Sequence, residues 1–334
     1  MNNKMKHITK TGLLLGLAAI VGTVQTVSAA AHTPPGQSKH GGGPPGGGPT
    51  NVFYPTVTNN TQLIGDINYA NQFGGTYTIY LQPNTTFTGG WGIGGSKTVN
   101  LTIIGNGDTI DGGHQNRMFV VASGSSLTLD QVTLQNGYVY AGYGGAIYNS
   151  GRLTISNSIL SGNTSLDRSD YLSALRGVGG AIYNNGGTVI IESSILSDNL
   201  STGANPMGGA IYNASGMVTI SNSTFTNNSA VDTVLGINVD PEYPQSGEGG
   251  AICNDGGTVT ISHSSLTSNY AAFEGGGLCN GGIYNSGGTA TVENSSHITG
   301  NTASAGGDVD NFGTLYLDNT SEIDLLEGNS AIPL

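Results

Sequence analysis

The chain has 334 residues, 56 of them glycine, only 9% charged and with a formal net charge of −12. So few bases among so many acids argue against a nucleic-acid partner, which needs a basic footprint on one face. The scarcity of charge also separates the chain from acidic disordered tails, which carry dense like charge.

The first 31 residues read as an export signal. Lys4, Lys6 and Lys10 form a basic start, Leu13–Val24 an apolar stretch, and Val27-Ser28-Ala29 a small-residue cleavage site. The apolar stretch is too short to span a bilayer. Removing the three lysines takes the formal charge from −12 to −15. No other segment is apolar enough to cross a membrane. The expectation is a secreted or cell-envelope protein that is not integral to a membrane. Residues 32–50 are rich in Pro and Gly and lack core-forming side chains, the composition of a flexible linker. The ordered domain is expected over residues 51–334.

Residues 61–72 give the one helical pattern, with Leu63, Ile64, Ile67 and Ala70 on one face. An open solenoid end exposes its core, so terminal units become caps. This helix is the expected N-terminal cap. Tyr77–Leu81, Val99–Ile104, Met118–Val121 and Leu127–Leu129 then read as the first coils.

From Gly144 onward a short motif recurs. Gly-Gly-Ala-Ile-Tyr-Asn stands at Gly144–Asn149, Gly179–Asn184 and Gly208–Asn213, and as Gly-Gly-Ala-Ile-Cys-Asn at Gly249–Asn254. Weaker copies follow at Gly281–Asn285 and Gly306–Asn311. Aligned on Ile147, Ile182, Ile211, Ile252, Ile283 and Val309, the spacings are 35, 29, 41, 31 and 26 residues. A fixed unit with variable spacers marks a solenoid whose insertions map to loops. A second column (Leu153–Ile155, Val189–Ile191, Val218–Ile220, Val259–Ile261, Ala290–Val292, Leu315–Leu317) alternates with the period of a half-buried strand. A third runs Leu160, Leu196, Phe225, Leu266, Ile298, each followed three residues on by an Asn. Three short strands per coil, separated by Gly/Asn/Ser turns, cannot bury their own apolar face; stacking buries it. The predicted fold is all-β: a single-stranded parallel β-helix, right-handed as parallel crossovers are, with the capping helix at its N-terminus.

The Gly-Gly-Ala-Ile motif, with Phe225-Thr-Asn-Asn228 as a Phe-x-x-Asn match, resembles the repeats of polymorphic outer membrane proteins. The lead-in Leu101–Gly113 is similar to the first coils of secreted β-helix proteins of the pectin-lyase-like class. The likeness covers roughly residues 60–330. It implies a β-helix at or beyond the cell surface. The membrane-embedded barrel that ends classical members has no counterpart before Leu334, so outer-membrane insertion is not expected of this sequence. Members of such folds include lyases, hydrolases, adhesins and stalks, so fold alone assigns no function.

Several residues could carry chemistry. Lyases of this class use Asp-bound Ca²⁺ and an Arg or Lys base; Ca²⁺ takes several oxygens and acidifies the substrate proton. The tightest mixed cluster here is Asp108, Asp111, His114 and Arg117, which reads equally as a turn shaped by Asp and Gly. Ca²⁺ enters only with that lyase reading; otherwise the sequence calls for no cofactor and no metal. The insertions instead concentrate charges and aromatics: Asp167, Arg168, Asp170, Tyr171 and Arg176 in one, Asp240, Glu242 and Tyr243 in another, Phe273 in a third. Aromatic faces beside acids suit sugar rings, and insertions along one edge of a solenoid are where recognition can be encoded. Tyr148, Tyr183, Tyr212 and Tyr284 share a column, as do Asn149, Asn184, Asn213 and Asn254; both read as stabilising ladders, and the tyrosines equally as an exposed sugar platform if alternation points Ile inward and Tyr outward. Cys253 takes the Tyr slot. Export permits a bridge to Cys279, but strict alignment puts Tyr284 opposite Cys253, so bridge and thiols both stay open. The favoured reading is a monomeric, secreted or surface-displayed β-helix acting in adhesion, in carbohydrate or cell-surface binding or as a scaffold, with a pectate-lyase-like uronate lyase as the alternative.

Overall fold

The computed structural model describes residues 56–166, 177–203, 206–231, 247–272, 283–303 and 307–334. These form a right-handed parallel β-helix whose strands pair with the coil before and the coil after. The stamp makes the first ladder: Ile147–Asn149 pairs in parallel with Phe119–Val121 on one side and with Ile182–Asn184 on the other. The register continues through Ile211, Ile252, Ile283 and Val309. In the second ladder Leu153 lies beside Val189, then Val218, Val259, Ala290 and Leu315. In the third, Leu160 is followed by Leu196, Phe225, Leu266 and Ile298. All of these point inward and are fully buried, building one continuous core.

Each full coil has a fourth strand that the apolar pattern does not reveal. Tyr138–Tyr140, Thr164–Leu166, Leu200–Thr202, Ser229–Val231, Tyr270–Ala272 and Thr302–Ala303 form a separate parallel sheet. Its buried residues include Ser165, Ser201, Thr202, Ala230 and Ala271. Such small side chains carry no alternating apolar signal, so these strands read as the first residues of the insertions.

The corners between strands are held by buried polar columns. Asn149 donates through Nδ2 to Asn184 Oδ1, Asn184 to Asn213, Asn213 to Asn254 and Asn254 to Asn285, each at 2.8 Å. A second asparagine column runs Asn163, Asn199, Asn228, Asn269, Asn301 with amide contacts of 2.8–2.9 Å, and ends on the acceptor-only Asp308. A third column is serine. Ser158, Ser194, Ser223, Ser264 and Ser296 each accept a backbone N–H from the preceding coil. The residue before each of them, Asn157, Ser193, Asn222, His263 and Ser295, has φ between 47° and 58°. That left-handed bend turns the chain, and Asn tolerates it best among non-glycine residues.

The two glycines of the stamp have separate causes. Gly144, Gly179, Gly208 and Gly249 sit at φ 64–71°. The second glycine of each pair lets neighbouring coils approach: a Cβ on Gly180 would collide with Gly209 O, and one on Gly209 with Gly250 O.

The helix α1 (Asn60–Phe73) precedes the first full strands. Asn59 caps it by accepting from Gln62 N at 3.1 Å, and Gln62 reaches back to accept from Thr58 N at 2.7 Å. The buried face is Leu63, Asp66, Ile67 and Ala70. Ile64 is 42% exposed, contrary to the expected face. Positions 63, 66, 67 and 70 follow the i, i+3, i+4, i+7 spacing, and Ile64 falls one step, about 100°, outside that stripe.

Candidate functional site

Strand alternation in the first ladder sends Ile147 and Asn149 inward and Tyr148 outward. Repeated coil by coil, this builds an aromatic face on one side of the helix. Tyr148 and Tyr183 stack at 5.2 Å between ring centroids, Tyr183 and Tyr212 at 5.4 Å with planes 3° apart. Tyr143 adds a second stack on Tyr183 at 4.8 Å. The rings are not free-standing. Val178, Met207, Tyr212 and Cys253 form a small apolar cluster outside the main core, with Tyr143, Tyr183 and Tyr284 packed on it. Tyr143, Val178, Met207 and Glu248 are joined in a row of isolated parallel bridges. This row lies immediately before each Gly-Gly pair.

The row also marks where the insertions return. Residues 167–176 lie between the fourth-ladder strand Thr164–Leu166 and Val178, and residues 232–246 between Ser229–Val231 and Glu248. Serine pins the stem of 167–176 and that of the short insertion between Thr202 and Met207, whereas Ala230 takes the same slot before 232–246. Ser165 Oγ accepts from Val178 N at 3.1 Å and donates to Gly142 O at 2.8 Å. Ser201 Oγ accepts from Met207 N at 3.1 Å and donates to Gly177 O at 2.6 Å. The insertions therefore leave and rejoin the helix beside the tyrosine face. The candidate binding residues Asp167, Arg168, Asp170, Tyr171, Arg176, Asp240, Glu242, Tyr243 and Phe273 lie outside the described residues.

Electrostatically the face is positive at its N-terminal end and negative further along. Arg117 donates through Nε to Gly144 O at 2.9 Å, and its guanidinium lies 5.6 Å from the Tyr148 ring centroid. Burial lowers the Arg117 pKa, with Tyr148 opposing. Tyr212 donates its hydroxyl to Asp255 Oδ2 at 2.7 Å. Burial, then the neighbouring Cys253 and Asp255, push the Tyr212 phenol far above its ordinary value. Tyr183 is raised to about 12, by burial first and then by Tyr148, Tyr143 and Asp255. Tyr284 is also raised to about 12, by burial and then Glu248. These hydroxyls stay protonated at ordinary pH, as donors on an otherwise apolar strip.

The column is interrupted at Cys253. Its parallel partners are Tyr212 and Tyr284, and its side chain is buried. Cys279 lies outside the described residues. A depression of about 330 Å³ lies on another face, lined by Asn222, His263 and His297 among others. The interruption instead carries a smaller one of about 200 Å³, lined by Met207, Glu248, Cys253, Asp255, Tyr284 and Ser286.

The four acid–base candidates sit in distinct local settings. Asp108 is buried in the corner column, where Oδ1 accepts from Thr85 N at 3.2 Å and Oδ2 has no hydrogen-bond partner. Asp111 accepts from Gln135 Nε2 at 2.8 Å, Asn136 Nδ2 at 3.1 Å and Gly113 N at 2.7 Å. Burial would raise its pKa, but these bonds and His114 together lower it. His114 occupies the left-handed region at φ 55°. Arg117 is turned to the tyrosine face. Asp108, Asp111 and Arg117 each have local hydrogen-bond partners, and among the described residues no three His, Cys, Asp or Glu side chains converge on a metal position.

Sequence reasoning did not assign the bridge row or Asp255 to this face. The signal was available in the residue before each Gly-Gly (Tyr143, Val178, Met207, Glu248), but variable insertion lengths hide its periodicity.

Residues 222–255 match the family model described as the Chlamydia polymorphic membrane protein repeat. That segment holds Phe225, Asn228 and the Cys253 copy of the stamp. No curated protein and no solved structure matches the chain.

Proposed function

We infer that the chain is an exported, surface-displayed β-helix that binds carbohydrate on the tyrosine face and the insertions beside it. The observation that carries this reading is the adjacency of the stacked rings to the insertion stems. Polar, aromatic-lined surfaces flanked by variable loops suit glycans, because sugar rings present C–H faces to aromatics and hydroxyls to carboxylates. The basic and apolar leader with its small-residue cleavage site supports export, and the matched repeat is named for a membrane protein family. No helix of the described residues is long and apolar enough to cross a membrane. The acidic balance favours a neutral or cationic ligand over a polyanion.

The lyase alternative asks Arg117 to act as a base facing clustered acids. Here Arg117 donates to a backbone carbonyl beside Tyr148, and Asp111 accepts three hydrogen bonds from another corner. The binding reading is therefore preferred.

The test is a glycan array and a cell-surface binding assay with the mature chain. Binding that falls in Tyr148→Ser with Tyr183→Ser, or when residues 232–246 are replaced by a short Gly-Ser link, supports the reading. Binding unchanged in both, or absent throughout, overturns it. Ultraviolet absorbance with acidic polysaccharides, with Ca²⁺ and with chelator, runs alongside: an unsaturated-uronate signal lost in Arg117→Ala would replace binding by catalysis.

A further inference from the structure

His263 and His297 stand 34 residues apart, a separation that fits no metal-ligand motif. The register of the coils brings them to one place. Ser265 is the parallel partner of His297. His263 stands two residues before Ser265, at the left-handed corner that opens the third ladder, with φ 47°. Ser264 and Ser296 turn inward there and are buried. His263 and Ser265 on one coil, and Ser295 and His297 on the next, therefore face outward. The four make a square, with the imidazoles on one diagonal and the hydroxyls on the other. Diagonal neighbours on adjacent strands lie about 7–8 Å apart, within reach of long and aromatic side chains. All four line the depression of about 330 Å³, together with Asn222 and Thr224 of the preceding coil. Among the described residues, neither imidazole and neither of the Ser265 and Ser295 hydroxyls has a hydrogen-bond partner.

We propose that this corner binds a divalent transition-metal ion, Zn²⁺ above all, through one ring nitrogen of His263 and one of His297. Hydroxyl oxygens of Ser265 and Ser295, or water, complete the shell. Imidazole suits Zn²⁺, Ni²⁺ and Cu²⁺, whereas Ca²⁺ and Mg²⁺ need carboxylate and carbonyl oxygens. The residues lining the depression supply two imidazoles and no carboxylate, which selects the first group. Two protein nitrogens leave open coordination positions, so the ion exchanges freely and is not locked in as a closed structural zinc is. That count agrees with the lack of any cluster of three His, Cys, Asp or Glu among the described residues. Glu322, the parallel partner of His297 on the following coil, adds negative charge beside the pair, and the acidic balance of the chain also favours a cation. Earlier coils carry Asn157 and Ile159, or Ser193 and Ile195, in the two positions, so the imidazoles are a local exception and not part of the repeat. The corner joins the second and third ladders, whereas the tyrosine face belongs to the first. The inference is therefore independent of the carbohydrate-binding reading.

The test is calorimetric titration of the mature chain, free of any affinity tag, with Zn²⁺ and separately with Ca²⁺. His263→Gln and His297→Gln should each weaken Zn²⁺ binding at least about tenfold, and Ca²⁺ should give no signal that depends on the pair. His32, His40 and His114 stay in every protein, so the difference between wild type and variant reports His263 and His297 alone. Both imidazoles are exposed, and metal-free melts should match the wild type; added Zn²⁺ should raise the wild-type midpoint and leave the variants' unmoved. Ser265→His adds a third imidazole to the square and should tighten Zn²⁺ binding at least about tenfold, an arm that holds even where a glutamine variant folds poorly. No Zn²⁺ binding, equal Zn²⁺ affinity in the wild type and either glutamine variant, no gain in Ser265→His, or Ca²⁺ taken by the same pair overturns the proposal.

Discussion

Asn184 and Asn213, on adjacent coils, are joined by a 2.8 Å side-chain hydrogen bond with both side chains fully buried. Each is donor to the next coil and acceptor from the last, so the column is a chain of amides inside the helix. A buried amide left without its partner costs about 1–3 kcal/mol. Asn213→Ala orphans the Asn184 donor and the Asn254 acceptor at once. It should lower stability by about 2–4 kcal/mol by that reasoning, read as a drop in the urea midpoint. Asn213→Asp keeps the acceptor for Asn184 but sets a buried carboxylate oxygen against the Asn254 Oδ1 acceptor, and should cost at least as much as the alanine.

Gly209 and Gly65 make an opposed pair. A Cβ at Gly209 meets Gly250 O, whereas one at Gly65 in helix α1 has nothing within 4 Å. Gly209→Ala should destabilise by about 1–3 kcal/mol through overpacking. Gly65→Ala should stabilise by about 0.5–1 kcal/mol through helix propensity. Thermal melts of the two variants beside the wild type check both signs.

Asp108 stands in the serine corner column, beside Val132, which in turn donates its N–H to Ser158 Oγ. A serine there would accept from Thr85 N and donate its proton to a nearby carbonyl, as Ser158 Oγ does to Ser156 O at 2.6 Å. Asp108 leaves one buried oxygen without a hydrogen bond. Asp108→Ser should therefore raise stability by about 1–3 kcal/mol, measured by chemical denaturation. A loss of stability would show that the carboxylate has a role the corner geometry does not explain.

Tyr183 and Tyr284, raised to about 12, set the alkaline limit. An unfolded tyrosine ionises near 10. The folded state thus holds its phenolic protons more tightly, and the stability this gives is fully present below about pH 10. It is lost as pH rises through about 12. Phenolate absorbance should show a late group of tyrosines titrating with loss of β circular dichroism. Tyr183→Phe should shift that limit upward.

Asp111 sets a contribution on the acid side. Its carboxyl is held below the ordinary value: burial opposes, and the bonds from Gln135, Gly113 and Asn136 prevail. A depressed carboxylate stabilises the fold above its unfolded pKa and loses that contribution as pH falls through the folded one. Asp111→Asn should lower stability most near neutral pH and least in acid, which flattens the acid limb of the stability profile. Urea midpoints across the acid range decide it.

Much of this fold was legible because its strands pair between copies of one motif. Once Ile147, Ile182 and Ile211 are aligned, their neighbours Tyr148, Tyr183 and Tyr212 and Asn149, Asn184 and Asn213 align too. The fourth ladder was not legible, since Ser165, Ser201 and Ala230 carry no apolar period. The serine corners were hidden among the many other serines. In helix α1, the choice of Ile64 over Asp66 followed hydrophobicity, where the rotation of the helix followed packing of Leu63, Ile67 and Ala70.

The sequence alone determined the parallel β-helix, its register and the chemical identity of its columns, because repeating side chains stack on their own copies. It also supplied Cys253 as the exception to the tyrosine column. Only the tertiary structure decided what lies beside that column. The bridge row, the insertion stems, Arg117 over Tyr148 and the acids around the Cys253 notch come from segments separated by insertions of unequal length. Their adjacency is fixed by how each coil closes in space, and no spacing along the chain encodes it.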